Sequence, residues 1–123
     1  EARAARLRAA LEIARVEPPR VVRGDLLSDL EPLMASAPKE VTLVVFHTAV
    51  LGYVSDRSKR NQFEATLRDS RAIWISNEPP RVFAAIREMA PAPRNSGQFL
   101  LSINGQPVAW TGPHGQSIDW FGS

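Results

Sequence analysis

The sequence predicts an α/β domain: a mostly parallel sheet as the middle of three layers, helices on both faces, and a C-terminal antiparallel β-meander. Three observations carry this. Helix and strand signals alternate through residue 95, as in crossover units around a parallel sheet. Val41–Thr48 is an apolar, β-branched run with almost no alternation, which reads as a strand covered on both faces. Asn104-Gly105 lies between two β-rich runs and is a hairpin signal, because both residues tolerate φ > 0. The expected organisation is one domain over residues 1–123, with βα units to 95 and the meander over 96–123.

Residues 1–15 read as a helix with Leu7, Ala10, Leu11 and Ala14 on one stripe. It opens without an N-cap, so Glu1 reads as a cut point within a larger protein. Pro18-Pro19 ends it. Arg20–Arg23 is a short strand candidate closed by Gly24-Asp25. A second helix spans about Ser28–Ala37. Either Ser28 and Glu31 form a capping box, or Asp29 caps and Pro32 falls in the first turn. Leu30, Leu33 and Met34 form its inner face. Val41–Thr48 follows as the central strand, then a short helical turn over Ala49–Tyr53.

Ser55 caps a helix of about Asp56–Asp69, with Phe63 and Leu67 turned inward. Arg71–Ser76 is the next strand, ending in Asn77-Glu78 and Pro79-Pro80. Arg81–Met89 is a short helix with Val82, Ile86 and Met89 on one side, and 91–97 is loop. Gln98–Ile103 and Gln106–Thr111 form the hairpin. Pro107 lacks a donor, so its position is expected at an edge or unbonded. Gly112–Gly115 turns the chain into a last strand over Ser117–Phe121.

Composition sets bounds. The 123 residues suffice for one small domain. There is no cysteine, which rules out disulfides and thiolate chemistry. The net charge is +2 and basic residues are scattered, which argues against nucleic acid as partner. No apolar run reaches membrane-span length and no signal peptide opens the chain, so a cytoplasmic location and no membrane are expected.

Polar residues gather at the expected strand ends: Asp25 after the first strand, His47 and Thr48 after the second, Asn77 and Glu78 after the third. In a parallel sheet these emerge at one carboxyl edge, where small-molecule ligands bind. His47 fits a general base or a hydrogen-bond donor to substrate, and equally a partly buried histidine bonded to a neighbour. Asp25 fits a ligand acceptor or a turn cap; Asn77-Glu78 fits a cleft wall or a turn. His114 sits in a Gly-Pro-His-Gly turn, a ligand-binding candidate or a solvated tip. Trp74, Trp110 and Trp120 read as core or sheet-face residues, one of which can wall a pocket. No glycine-rich phosphate loop and no nucleophile elbow is written in the sequence, and the spacing of its histidines suggests no metal pair.

Arg6–Leu11, Pro18–Asp25, Val44–Leu51, Trp74–Glu78, Pro113–Gly115 and Asp119-Trp120 resemble a bacterial family of unknown function, the domain of unknown function numbered two-three-three-two. The resemblance runs the length of the chain, and Val-Val-Phe-His-Thr is its most distinctive part. It implies a Rossmann-like sheet similar to that of class I methyltransferases. The loop for S-adenosylmethionine would then lie N-terminal to this region, so the cofactor would belong to a full-length protein and none to this stretch. Gly24-Asp25 would sit near the adenine, Phe46-His47-Thr48 beside the methyl group, and Asn77-Glu78 after the fifth strand. With strands of such a sheet missing, the stretch is expected to form a homo-oligomer, to pair with a missing N-terminal half, or to reorder its sheet.

Three functional readings follow. The first is the C-terminal portion of a methyltransferase-like protein, inactive as it stands. The second is a non-catalytic protein-interaction module that uses the meander with Trp110, Trp120 and His114. A third is a small hydrolase pairing His47 with Asp25.

Overall fold

Chain order and sheet order coincide. The computed structural model describes residues 1–122, and its five-stranded sheet runs β1-β2-β3-β4-β5. The strands are β1 (Val44–Thr48), β2 (Ile73–Glu78), β3 (Phe99–Ile103), β4 (Gln106–Thr111) and β5 (Ile118–Trp120). The helices are α1 (Ala2–Val16), α2 (Leu30–Ala35), α3 (Arg57–Arg68) and α4 (Ala84–Met89), with a 3-10 turn at Leu51–Tyr53.

The mostly parallel, Rossmann-like sheet expected from the sequence is not what forms. Only β1 and β2 run parallel; every other pairing is antiparallel. The segment expected at the centre, β1, is an edge strand. The physical reason lies in the connections. One helix, α3, joins β1 to β2, as a parallel crossover requires, but the loop after α4 brings β3 back alongside β2 in the opposite direction. Arg20–Arg23 forms no strand, and Val21 stands 87% exposed. Its β-branched residues have no neighbouring strand to pack against, and such propensity is realised only in a sheet.

Helices also fail to cover both faces. Strand alternation places Val45 and His47, Trp74, Ser76 and Glu78, Leu100 and Ser102, and Trp110 on one face. There they meet Met34 of α2, Leu51, Phe63 and Leu67 of α3, Phe83 and Ile86 in a single core. The other face carries Val44, Phe46, Ile73, Ile75, Leu101, Ile103, Ile118 and Trp120, none of which joins that core. The amphipathic stripe of α1 buries no side chain either.

Local signals explain the helix limits. Asp56, one residue after the expected Ser55, caps α3 by accepting from the Ser58 and Lys59 amides at 2.8 and 3.3 Å. Asp29 occupies the cap position of α2, leaving Pro32 in the first turn, where no N–H is needed. At the hairpin, Asn104 and Gly105 take φ of 50° and 75°, the left-handed pair of a two-residue turn. Pro107 lies on β4 next to a register shift between Leu101 and Ser102 and past the end of β5, so its missing donor disturbs little.

Candidate functional site

The parallel register pairs His47 with Ser76, so Trp74 and Glu78 are its diagonal neighbours on the same face of β2. Both use that placement. His47 Nδ1 lies 2.9 Å from Glu78 Oε1. Trp74 Nε1 donates to His47 Nε2 at 2.9 Å. An indole nitrogen can only donate, so Nε2 must accept, and the ring is the neutral tautomer that donates from Nδ1 to the carboxylate. Phe63 and Phe83 close edge-on against the imidazole at 5.3 and 6.2 Å between centroids, and its side chain is 8% exposed. Both nitrogens are engaged and the ring is enclosed, so it presents no free lone pair to a substrate.

Glu78 is 2% exposed. Burial works against its charge. The His47 ring N–H and the amides of Leu51 and Val50 outweigh burial and hold the carboxyl below its ordinary range. All three donors converge on Oε1, at 2.9 to 3.1 Å; Oε2 is buried without a partner among the described residues. The carboxylate therefore ties the turn after β1 to the end of β2.

The other candidates do not join this group. Thr48 and Asn77 point to the opposite face, where Asn77 accepts from Thr111 Oγ1 at 2.7 Å and reaches Thr48 Oγ1 at 3.4 Å. Asp25 spends its carboxylate on the Leu27 and Ser28 amides at 2.7 and 3.3 Å, as a turn cap does. It lies in the irregular segment before α2, beside a shallow cavity of about 250 Å³ with Val22, Leu30 and Leu33. His114 is exposed in the turn between β4 and β5, and its amide donates to Gln116 Oε1. The carboxylate facing His47 is thus Glu78 and not Asp25. Trp74 is the member of the group that sequence reasoning left among the core residues. The signal was its spacing, since Trp74, Ser76 and Glu78 alternate onto one face.

The residues do not fit a shared S-adenosylmethionine site within the described chain. Gly24-Asp25 lies outside the sheet, and Phe46 and His47 face opposite sides of it. No group of three or more histidine, aspartate or glutamate side chains is arranged for a metal among the described residues. No helix there is long and apolar enough to cross a membrane.

Fold and site together define a small α/β domain with helices on one sheet face and a buried Trp-His-Glu chain beneath them. Residues 1–120 match a family described as an uncharacterized protein conserved in bacteria (DUF2332), and the chain belongs to that family. The match carries no methyltransferase assignment. No match was found among curated proteins or among solved structures.

Proposed function

We propose that the domain is a non-catalytic interaction module whose uncovered sheet face docks the α1 helix of a second copy. The apolar row across that face carries the reading. Phe46 pairs with Ile75 and Ile75 with Ile103; Leu101 pairs with Ala109 and Ala109 with Trp120. The row is flanked by Val44, Ile73 and Ile118. Phe46 is 74% exposed and Trp120 57%. On a scale of ~150–250 Å² for a whole aromatic side chain, these two, on the two edge strands with half-buried Ile75, Leu101 and Ile103 and buried Ala109 between them, leave roughly 250 Å² of apolar surface uncovered. Contiguous patches beyond a few hundred Å² mark interaction sites. The helix α1 offers the complement, with Leu7 and Leu11 of its apolar stripe exposed. Helix on sheet is the layer this face lacks. The engaged, enclosed His47 supports binding over catalysis.

Sedimentation velocity over a concentration series tests the proposal. A dimer that is lost in a Phe46→Asp, Trp120→Asp double variant, with unchanged far-ultraviolet circular dichroism, is expected. A wild-type chain that stays monomeric throughout, indistinguishable from that variant, overturns it.

A further inference from the structure

A second feature lies above the carboxyl ends of the parallel pair. Arg57, Arg60, Asn61 and Glu64 fall at i, i+3, i+4 and i+7 on α3 and share one helix face. Across from them stand Arg81 and residues Val82–Ala85. Together they enclose a cavity of about 410 Å³, the size of a small-molecule site. A second cavity of about 270 Å³ adjoins it through Arg81 and is walled by Ala49, Gly52, Tyr53 and Phe99.

The charge on this cavity is not balanced by the chain. Glu64 is its one carboxylate, and it is held by Arg68 at 2.8 Å. Arg57 and Arg81 have no ion-pair partner among the described residues. Arg60 is pinned by the Val54 and Ser55 carbonyls through Nη1, while its Nε is buried without a partner. Three guanidinium groups at one cavity, two of them exposed, set up a positive potential that favours an anion between them.

We propose that this cavity is an oxyanion site for a small, soluble phosphoryl compound. Guanidinium forks match phosphate oxygens two at a time, and a group of two negative charges and several acceptor oxygens answers the two forks of Arg57 and Arg81, with the Arg60 charge beside them, better than a single carboxylate. The site uses side chains and not a glycine-rich loop, so no motif announces it. Its place is where ligands bind beside parallel strands. The Gly52 position lies against Arg81, where an added Cβ would come 3.7 Å from Nη2. Glu78, through Val50 and Leu51, fixes the turn that brings Gly52 there.

The test is titration calorimetry with sodium pyrophosphate, inorganic phosphate and malonate, each at ionic strength matched with sodium chloride. Saturable pyrophosphate binding is expected, weaker for phosphate and weakest for malonate. Arg57→Gln and Arg81→Gln should each weaken it about tenfold, the loss of one charge-assisted hydrogen bond. Arg94→Gln, whose side chain pairs with Asp119 elsewhere, should leave it unchanged. Three results each overturn the proposal: no saturable heat with any oxyanion, malonate binding as tightly as pyrophosphate, or equal weakening in Arg94→Gln. Co-sedimentation with phosphatidic acid vesicles that needs Arg57 and Arg81, without pyrophosphate binding, overturns the soluble assignment.

Discussion

His47 and Glu78 stand on adjacent parallel strands and meet at 2.9 Å through Nδ1 and Oε1, in a pocket closed by aromatic rings. The carboxylate oxygen that takes this bond also takes two backbone amides. One buried atom thus fastens β1, β2 and the turn between β1 and α3.

Removing that atom should be severe. Glu78→Ala leaves the Val50 and Leu51 amides and the His47 ring N–H without acceptors inside the core. The expected loss is about 3–5 kcal/mol, the scale for breaking a buried charged network. Glu78→Gln keeps an acceptor oxygen and should cost about 1–2 kcal/mol. Urea unfolding at pH 7 measures both.

The same carboxylate sets an acid limit. Its value in the fold lies below the ordinary 4.5, so the folded state favours the ionised form. Its stabilising contribution is therefore complete above 4.5 and is lost as pH falls through the lower folded value. Urea midpoints measured from pH 7 down to about 3 should fall on the acid side, and Glu78→Gln should flatten that fall. An equally steep acid limb in the variant would contradict the assignment.

The tautomer of His47 is directly observable. Nitrogen-15 spectra of the ring should show a protonated Nδ1 and an accepting Nε2 at neutral pH. Trp74→Phe removes the indole donor and should shift the Nε2 resonance, with a stability loss of about 1–2 kcal/mol for the orphaned acceptor.

Asn104 serves both the hairpin and the sheet. Its φ is 50°, its Oδ1 accepts from the Trp74 amide at 2.8 Å, and its amide donates to the Trp74 carbonyl at 2.7 Å. Asn104→Ala loses the side-chain bond and meets strain at positive φ; Asn104→Gly loses only the bond. The alanine variant should be less stable than the glycine variant by about 1 kcal/mol in thermal or urea unfolding.

The parts legible in the sequence are those set by local chemistry. The Asn104-Gly105 turn, the amphipathic face of α3 with Phe63 and Leu67, and the short apolar run that opens β2 each rest on a few adjacent residues. Sheet position was not legible. In Val44-Val45-Phe46 both faces of the strand are apolar, so nothing distinguishes a strand covered twice from one whose outer row stands bare. His47 and Glu78 were both visible as polar residues after apolar runs. Their meeting depends on the register that sets His47 opposite Ser76, which neither segment encodes alone. Asp25 joins them only on an assumed common edge, and that grouping dissolves because Arg20–Arg23 takes no place in the sheet.

A sheet laid down in chain order can grow outward from one nucleus. The β3–β4 hairpin can close over its two-residue turn at little entropic cost, whereas β2 is reached across α4 and β1 only across α3 beyond it, which should make β1 the last of the three to join. What joins last, with one side free, is also what detaches first under mild denaturation. Amide exchange should then find Val44–Thr48 released ahead of the hairpin, so that the strand holding His47 is surrendered before the one the turn at Asn104-Gly105 ties down.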